Sequence, residues 1–111
     1  MAMKMVSDIA DSSESCDVRD QVKLQALTVV SDHGVRVFWQ IRSVYKSLLG
    51  EVVFIPTSGQ PVSLFVGALE SDSEVKEGEF TCPTAGSITV SFKNCSFFGT
   101  GVGAYRVESL K

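Results

Sequence analysis

The strongest constraint on the fold is that apolar residues alternate with polar ones over short segments, while no stretch carries the apolar repeat of an amphipathic helix. The clearest segment is residues 87–93, SITVSFK, in which every second residue is apolar. Further strand candidates cover residues 22–30, 35–44, 51–55, 62–69, 78–82 and 104–110. We therefore predict an all-β fold, a jelly-roll-like sandwich of two antiparallel sheets.

Two of these candidates are separated by a turn signal at Asp32, His33 and Gly34, which predicts a hairpin. In the second of them Trp39 shares a face with three apolar residues, so we expect it in the core. The opposite face carries Arg36, Phe38, Gln40 and Arg42. The same parity in residues 62–69 places Val66 inward with Leu64, and Phe65 outward as surplus apolar surface.

Residues 1–20 are rich in Ser, Asp and Glu and show no strand or helix period, so we predict a flexible acidic arm. The folded domain is expected to cover residues 21–111, a length that fits one core. The N-terminus lacks the apolar core of a signal peptide, and no apolar run approaches the ~20 residues of a membrane-spanning helix. These features favour a cytoplasmic location.

The net charge of −3 is unevenly distributed, since residues 1–20 and 70–79 each carry five acidic residues. Acidic runs of this kind are typical of solvated chain. The rest of the sequence is mildly basic, but it contains no cluster of basic residues interleaved with stacking aromatics. We therefore expect no nucleic-acid partner.

The sequence offers little for catalysis. It has a single histidine, His33, placed in a turn, and no motif that supplies a nucleophile with a base. The three cysteines, Cys16, Cys82 and Cys95, are too widely spaced for a metal site. We expect free thiols, with a Cys82–Cys95 disulfide left open as the alternative for an oxidising compartment. The prediction is a non-enzyme without cofactor or metal.

Three alternate glycines, Gly99, Gly101 and Gly103, raise the question of a phosphate-binding loop. Such a loop needs a following helix, whose amide groups hold the phosphate. Only eight residues follow Gly103, which leaves no room for that helix and a second strand. We interpret the glycines as allowing a turn with positive φ or a close backbone approach.

The segments VFWQI, VVFI, GEFTCPTAGSITVSFKNCSFF and AYRVE, taken together, resemble a GOLD (Golgi dynamics) domain over about residues 22–109. The family's late pattern of glycine, strand, aromatic turn and closing tyrosine strand is matched by Gly86, Asn94, Ser96, Phe97, Phe98, Tyr105, Arg106 and Val107. Two departures are Lys93, where the family usually has Asp, and the run of three glycines, which replaces a basic turn. Binding that depends on that basic turn does not carry over.

The resemblance implies a non-catalytic protein-interaction module of a membrane-trafficking, lipid-transfer or Golgi-associated protein. We expect a monomeric domain within a larger protein, located in the cytoplasm or at Golgi and other endomembranes. The candidate partner-binding residues are Phe97, Phe98, Arg36, Phe38 and Arg42. Two alternatives stay open: a lipid- or membrane-surface module that inserts Phe97 or Phe98, and a small-ligand binder with Trp39 as its platform.

Overall fold

The computed structural model describes residues 14–30, 34–71, 75–95 and 99–110. These residues form eight β-strands. They are β1 (Glu14–Val18), β2 (Gln21–Val29), β3 (Val35–Tyr45), β4 (Leu48–Pro56), β5 (Val62–Leu69), β6 (Lys76–Cys82), β7 (Gly86–Asn94) and β8 (Gly101–Leu110).

The strands form two four-stranded sheets, sheet A in the order β1-β8-β3-β6 and sheet B in the order β2-β7-β4-β5. Every strand pairing is antiparallel, and β1 pairs with β8, β2 with β7, β3 with β6, and β4 with β5. This pairing of first with last strands is that of one long hairpin rolled into a double sheet, which is the jelly-roll arrangement. The predicted all-β, jelly-roll-like sandwich of two antiparallel sheets is confirmed.

Three aromatic pairs join the two sheets across the core. The Trp39 ring of sheet A lies 5.6 Å from that of Phe65 in sheet B, measured between ring centroids. The corresponding distances are 5.4 Å for Phe54 and Phe80, and 6.4 Å for Phe92 and Tyr105. Tilted rings at these separations favour each other beyond the area they bury. Trp39 is 6% exposed, as its predicted core position requires.

The three alternate glycines serve packing and chain reversal. Gly99 has a φ of 82°, a left-handed conformation that side chains with a Cβ rarely adopt. A Cβ on Gly103 would lie 2.6 Å from the ring of Phe92, so the core aromatic occupies the space of the missing side chain. Gly101 lets Leu48 approach in the same way, with 2.9 Å from its methyl group to the position of a Cβ. Positive φ is confirmed for Gly99, and a close backbone approach is confirmed for Gly101, whose Cβ position lies 3.0 Å from the Tyr45 carbonyl oxygen, whereas Gly103 admits a side chain instead.

The prediction of an arm through residue 20 is wrong for Glu14–Val18, because these residues form β1 at the edge of sheet A. Val18 is fully buried and lies opposite Gly101. The segment ESCDV has too few apolar residues to show an alternation. Val18 is buried because it lies opposite Gly101 of β8, and residues 14–18 themselves do not reveal that pairing.

The predicted hairpin of residues 22–30 and 35–44 is also wrong. β2 pairs with β7 in sheet B, whereas β3 pairs with β6 and β8 in sheet A. The connection therefore crosses from one sheet to the other. Turn residues such as Gly34 reverse the chain equally well in a hairpin and in such a crossing, so local sequence does not distinguish the two.

In β5 the predicted faces are reversed from Phe65 onward, whereas Leu64 packs against the core as predicted. Phe65 lies opposite buried Val52 and packs against Trp39, whereas Val66 lies opposite Glu51 and points outward. The register of β4 and β5 shifts between Val52 and Val53, so the alternation is not continuous along the strand.

A Cys82–Cys95 disulfide is excluded by position. Cys82 lies opposite Val35 at the start of β3, whereas the amide of Cys95 donates to the Ser47 carbonyl just after the end of β3 (3.3 Å). An eleven-residue strand is roughly 35 Å long, and a disulfide needs Cα atoms within about 7 Å. The two thiols therefore lie at opposite ends of the sandwich.

Candidate functional site

The outer surface of sheet A carries charged side chains around one aromatic ring, and we call this surface the sheet A face. Three adjacent strands, β6, β3 and β8, contribute to it. Residues directly opposite each other in a sheet project from the same side, so the strand register defines the members. They are Arg36, Phe38, Gln40, Arg42, Glu77, Glu79, Thr81, Arg106 and Glu108.

Phe38 is the centre of the sheet A face. It lies on the middle strand between Glu79 of β6 and Glu108 of β8, and its side chain is half-buried. The guanidinium carbon of Arg106 is 5.8 Å from the centre of the Phe38 ring, within the range of a cation–π contact. Arg106 also donates from Nη2 to Glu108 Oε1 at 2.8 Å.

Arg36 forms an ion pair with Glu79 at the edge of the sheet A face. Both side chains are more than half exposed, at 60% and 51%, so solvent screens the pair strongly. The pair therefore contributes little to folding. Its effect is to hold two opposite charges side by side next to the Phe38 ring.

A buried polar pair lies in the next row. Gln40 is 1% exposed and donates from Nε2 to Glu77 Oε1 at 3.0 Å. Its Oε1 and the Nε of Arg106, the residue opposite on β8, are buried without a hydrogen-bond partner. One is an acceptor and the other a donor, so each leaves hydrogen-bonding capacity unused in this row.

Of the predicted binding residues, the structure brings Arg36, Phe38 and Arg42 together on the sheet A face. Phe97 and Phe98 lie outside the described residues. Sequence analysis missed Glu77 and Glu79, because it assigned them to a solvated acidic run. The signal that could have found them is their spacing of two, which continues the alternation of the strand candidate at 78–82.

Asn94 fixes both ends of the loop in which Phe97 and Phe98 occur. Its side-chain Nδ2 donates to the carbonyls of Val18 (2.9 Å) and Gly99 (3.3 Å). Its backbone amide donates to the carbonyl of Asp20 at 2.8 Å. Through this one buried residue the end of β7 is attached to β1, the turn after β1 and Gly99, two residues before β8.

The outer surface of sheet B differs from the sheet A face. Its β2 and β7 side carries hydroxyl, amide and lysine side chains, among them Lys23, Thr89 and Lys93. Its β4 and β5 side carries apolar side chains that we call the β4–β5 strip, namely Leu49, Val53, Ile55, Val66 and Ala68, with Glu51 among them directly opposite Val66. Val66 is 61% exposed and Leu49 is 40% exposed.

The described residues offer no site for metal chemistry, since no three of their His, Cys, Asp and Glu side chains are grouped to hold an ion. Burial raises the pKa of the Cys82 thiol, and burial followed by the charge of Asp17 raises that of Cys16. A raised pKa keeps a thiol protonated and unreactive at neutral pH. His33 lies outside the described residues.

The small-ligand alternative based on Trp39 is contradicted, because this indole packs inside the core against Phe65 and over Gly78. A cleft of about 160 Å³ is present at one end of the sandwich, lined by residues such as Leu27, Val29 and Val35. Ligand pockets usually measure about 300 Å³ or more. Among the described residues there is no helix long and apolar enough to cross a membrane.

No protein-family model and no curated protein matches this chain. Among solved structures, the mitogen of Yersinia pseudotuberculosis matches with a TM-score of 0.56 and 8% identity, over 90% of this chain and 86% of the mitogen. A CBM4 structure matches with a TM-score of 0.46 and 8% identity, over 88% and 82%. The Gx strain of infectious bursal disease virus gives a TM-score of 0.40 and 12% identity, over 86% and 29%. The mitogen match shows a shared sandwich fold and nothing about function.

Proposed function

We propose that this protein is a GOLD-like, non-catalytic interaction module of a membrane-trafficking, lipid-transfer or Golgi-associated protein. It binds a protein partner through the sheet A face and the loop after Asn94. The observation that carries the proposal is the position of Phe38, a half-buried aromatic ring at the centre of three strands with both signs of charge around it.

The chemistry of this surface supports a protein partner. Aromatic and arginine side chains are enriched at protein interfaces and account for many of the residues that dominate binding energy. Here Phe38 supplies the ring, Arg106 contacts it, and Arg36 and Arg42 lie on the same face of β3. The exposed Arg36–Glu79 pair can exchange its partners for groups on another protein, because it contributes little to the fold.

The layout of the last two strands supports the GOLD-like part of the proposal. Gly86 begins β7 and Asn94 ends it, and Tyr105 lies in the closing strand β8. This is the order of elements that the resemblance implies for these positions. Asn94 also has a physical reason to be asparagine, since both of its side-chain hydrogen bonds need an amide donor.

The proposal is tested by photo-cross-linking in cells that express the full chain. A photoreactive amino acid is placed at Thr81, an exposed position opposite Arg36 on the sheet A face, and in a separate variant at Lys23 on the outer surface of sheet B. We expect discrete protein adducts from position 81 and none of the same adducts from position 23. The added substitution Arg36→Glu should remove them.

Circular dichroism of each variant confirms that the fold is intact. Adducts that are equal at positions 81 and 23, or that survive Arg36→Glu, contradict a binding surface on sheet A. The identity of the adducts decides the second part of the proposal, because partners outside trafficking, lipid-transfer and Golgi assemblies contradict it.

A further inference from the structure

Arg42 differs from the other arginines of the sheet A face, because it has no partner among the described residues. Arg36 forms an ion pair with Glu79, and Arg106 forms one with Glu108. The guanidinium of Arg42 makes no ion pair, hydrogen bond or ring contact with any residue that the structure describes. Of the arginine charges on this face, the charge of Arg42 is therefore the one that no described neighbour compensates.

The burial of Arg42 makes its lack of a partner informative. Exposed cations such as Lys23 are hydrated on most sides and need no partner. Arg42 is half-buried, and the other half-buried cations of the described chain have contacts, since Lys46 lies over the Tyr45 ring and Arg106 is paired. Partial burial removes some of the water around a charge and lowers the local dielectric constant. An added anion is therefore bound more strongly at Arg42 than at a fully exposed cation.

The acidic residues of the sheet A face are each engaged by a different neighbour. The pairs are Glu79 with Arg36, Glu108 with Arg106, and Glu77 with Gln40. Asp17 faces outward on β1, but β8 lies between β1 and β3, so the backbones of Asp17 and Arg42 are roughly 10 Å or more apart. Ala104, directly opposite Arg42 on β8, is nearly buried and has no polar side chain. The described chain thus leaves Arg42 without a carboxylate.

We propose that Arg42 binds a carboxylate of the protein partner, on an aspartate or glutamate side chain that seats on the sheet A face. A guanidinium presents a planar fork of N–H donors, which matches the two oxygens of a carboxylate and gives two parallel charge-assisted hydrogen bonds. This inference rests on the proposed function and deepens it, because it states which chemical group the partner presents and which residue binds it.

The balance of charge on the sheet A face favours a protein carboxylate over a polyanion. The face carries three arginines and three glutamates, so its charges sum to zero. A neutral surface does not attract nucleic acid or an anionic membrane, which both need an excess of positive charge. A protein surface carries both signs of charge and can place one carboxylate at Arg42 while its other groups meet the paired charges.

Photo-cross-linking from position 81 in cells that express the full chain tests whether Arg42 contributes to binding. Arg42→Gln removes the charge and the fork of donors but keeps a long polar side chain, and it should lower the yield of protein adducts at least tenfold. Lys23→Gln is the matched control, because it removes the same charge from the outer surface of sheet B and should leave the yield unchanged. Circular dichroism and the urea midpoint check that both variants keep the fold.

Carbodiimide coupling in an extract of these cells tests which group Arg42 contacts. Arg42→Lys places a primary amine at this position. A carbodiimide activates a carboxylate in contact with that amine, the amine attacks the activated carbonyl carbon, and an amide bond forms as the reagent leaves as a urea. We expect mass spectrometry to show position 42 joined to an aspartate or glutamate of the same protein that position 81 captures. The amine of Lys23 should not be joined to that protein.

The possible outcomes separate this inference from the proposed function. Adducts from position 81 that Arg42→Gln leaves unchanged, or that Lys23→Gln lowers equally, overturn the inference while the proposed function stands. An Arg42→Lys chain that captures its partner from position 81 without an amide bond at position 42 overturns the carboxylate. Capture that phosphatase treatment abolishes identifies a phosphate group and also overturns it. A lack of specific adducts from position 81 contradicts the proposed function, and this inference with it.

Discussion

The two outer surfaces of the sandwich differ although both sheets bury the same kind of residue inside. The sheet A face alternates charged and polar side chains with one central ring, and both edges of its sheet are charged. Sheet B is divided, with a polar half on β2 and β7 and the apolar β4–β5 strip on the other half. The exposed apolar residues of sheet B are therefore confined to one half of its outer surface.

The two outer surfaces therefore differ in how much apolar area they expose to water. The Arg36–Glu79 pair of the sheet A face is well exposed to water, so both side chains are available to exchange partners. The β4–β5 strip is stable in water only at some cost, since Val66 and Leu49 expose apolar area. Substitutions can show whether the two surfaces depend on each other through the shared core.

The largest effect is expected for Phe92→Ala, which removes the support of both surfaces together. Phe92 of β7 is fully buried, contacts Tyr105 of β8 and fills the space above Gly103. Loss of a buried phenylalanine lowers the free energy of unfolding by about 3–5 kcal/mol, a large part of the stability of a small domain. Urea unfolding followed by circular dichroism measures it.

Ser91→Ala, one residue away on the outer surface, is the matched control and should change the free energy of unfolding by no more than about 0.5 kcal/mol. A loss below about 1 kcal/mol for Phe92→Ala would contradict the view that the two sheets share one tightly packed core.

The second effect concerns the residue that attaches the loop after β7 to sheet A. Asn94→Leu keeps a similar volume but removes the donor to the carbonyls of Val18 and Gly99. The buried carbonyl of Val18 then loses its partner, together with the more exposed carbonyl of Gly99, and we expect a loss of about 1–3 kcal/mol. Hydrogen exchange should show faster exchange of the β1 amides than of the β4 amides. Equal acceleration in β1 and β4 would argue against a local attachment.

The third pair of substitutions compares the surfaces directly. Thr89, outward on sheet B, has a buried Oγ1 without a partner, so Thr89→Val should raise the free energy of unfolding by about 1 kcal/mol. Gln40 on sheet A also has an unpaired oxygen, but it donates to Glu77. Gln40→Leu removes this bond to a carboxylate and should lower stability by about 1 kcal/mol. Urea unfolding should show a higher free energy of unfolding for Thr89→Val and a lower one for Gln40→Leu. Changes of the same sign would contradict the different roles of the two side chains.

The fold class could be predicted from the sequence, because alternation in SITVSFK and its neighbours depends only on local residues. The glycines could also be interpreted, since residues 104–110 alternate as a strand does and lack the apolar repeat of a helix. The partner strand of β2, the inward and outward faces of β5, and the strand β1 could not be predicted. Each depends on a residue far along the chain: the strand that β2 pairs with, the register shift beside Val52, and the glycine opposite Val18.

The candidate site could be predicted only where its residues lie on a single strand. Arg36, Phe38 and Arg42 lie on one strand, so their common face follows from alternation alone. Glu77 and Glu79 come from another strand, and only the sheet order brings them beside Phe38. Local sequence thus predicts the β3 residues of the sheet A face, whereas only strand pairing reveals the acidic residues of β6 beside them.

The smallest effect on stability, and the one that separates folding from binding, is expected for Arg36→Ala. Its ion pair with Glu79 is exposed, so the free energy of unfolding should fall by about 0.5 kcal/mol or less, as for Lys23→Ala on sheet B. If Arg36 serves a partner, Arg36→Ala should still reduce the cross-linked adducts from position 81, whereas Lys23→Ala should not. Thermal unfolding at low and high salt supplies the check, because an exposed pair weakens with salt. A loss above about 1.5 kcal/mol would make Arg36 a structural residue and remove the argument that its charge is available for binding.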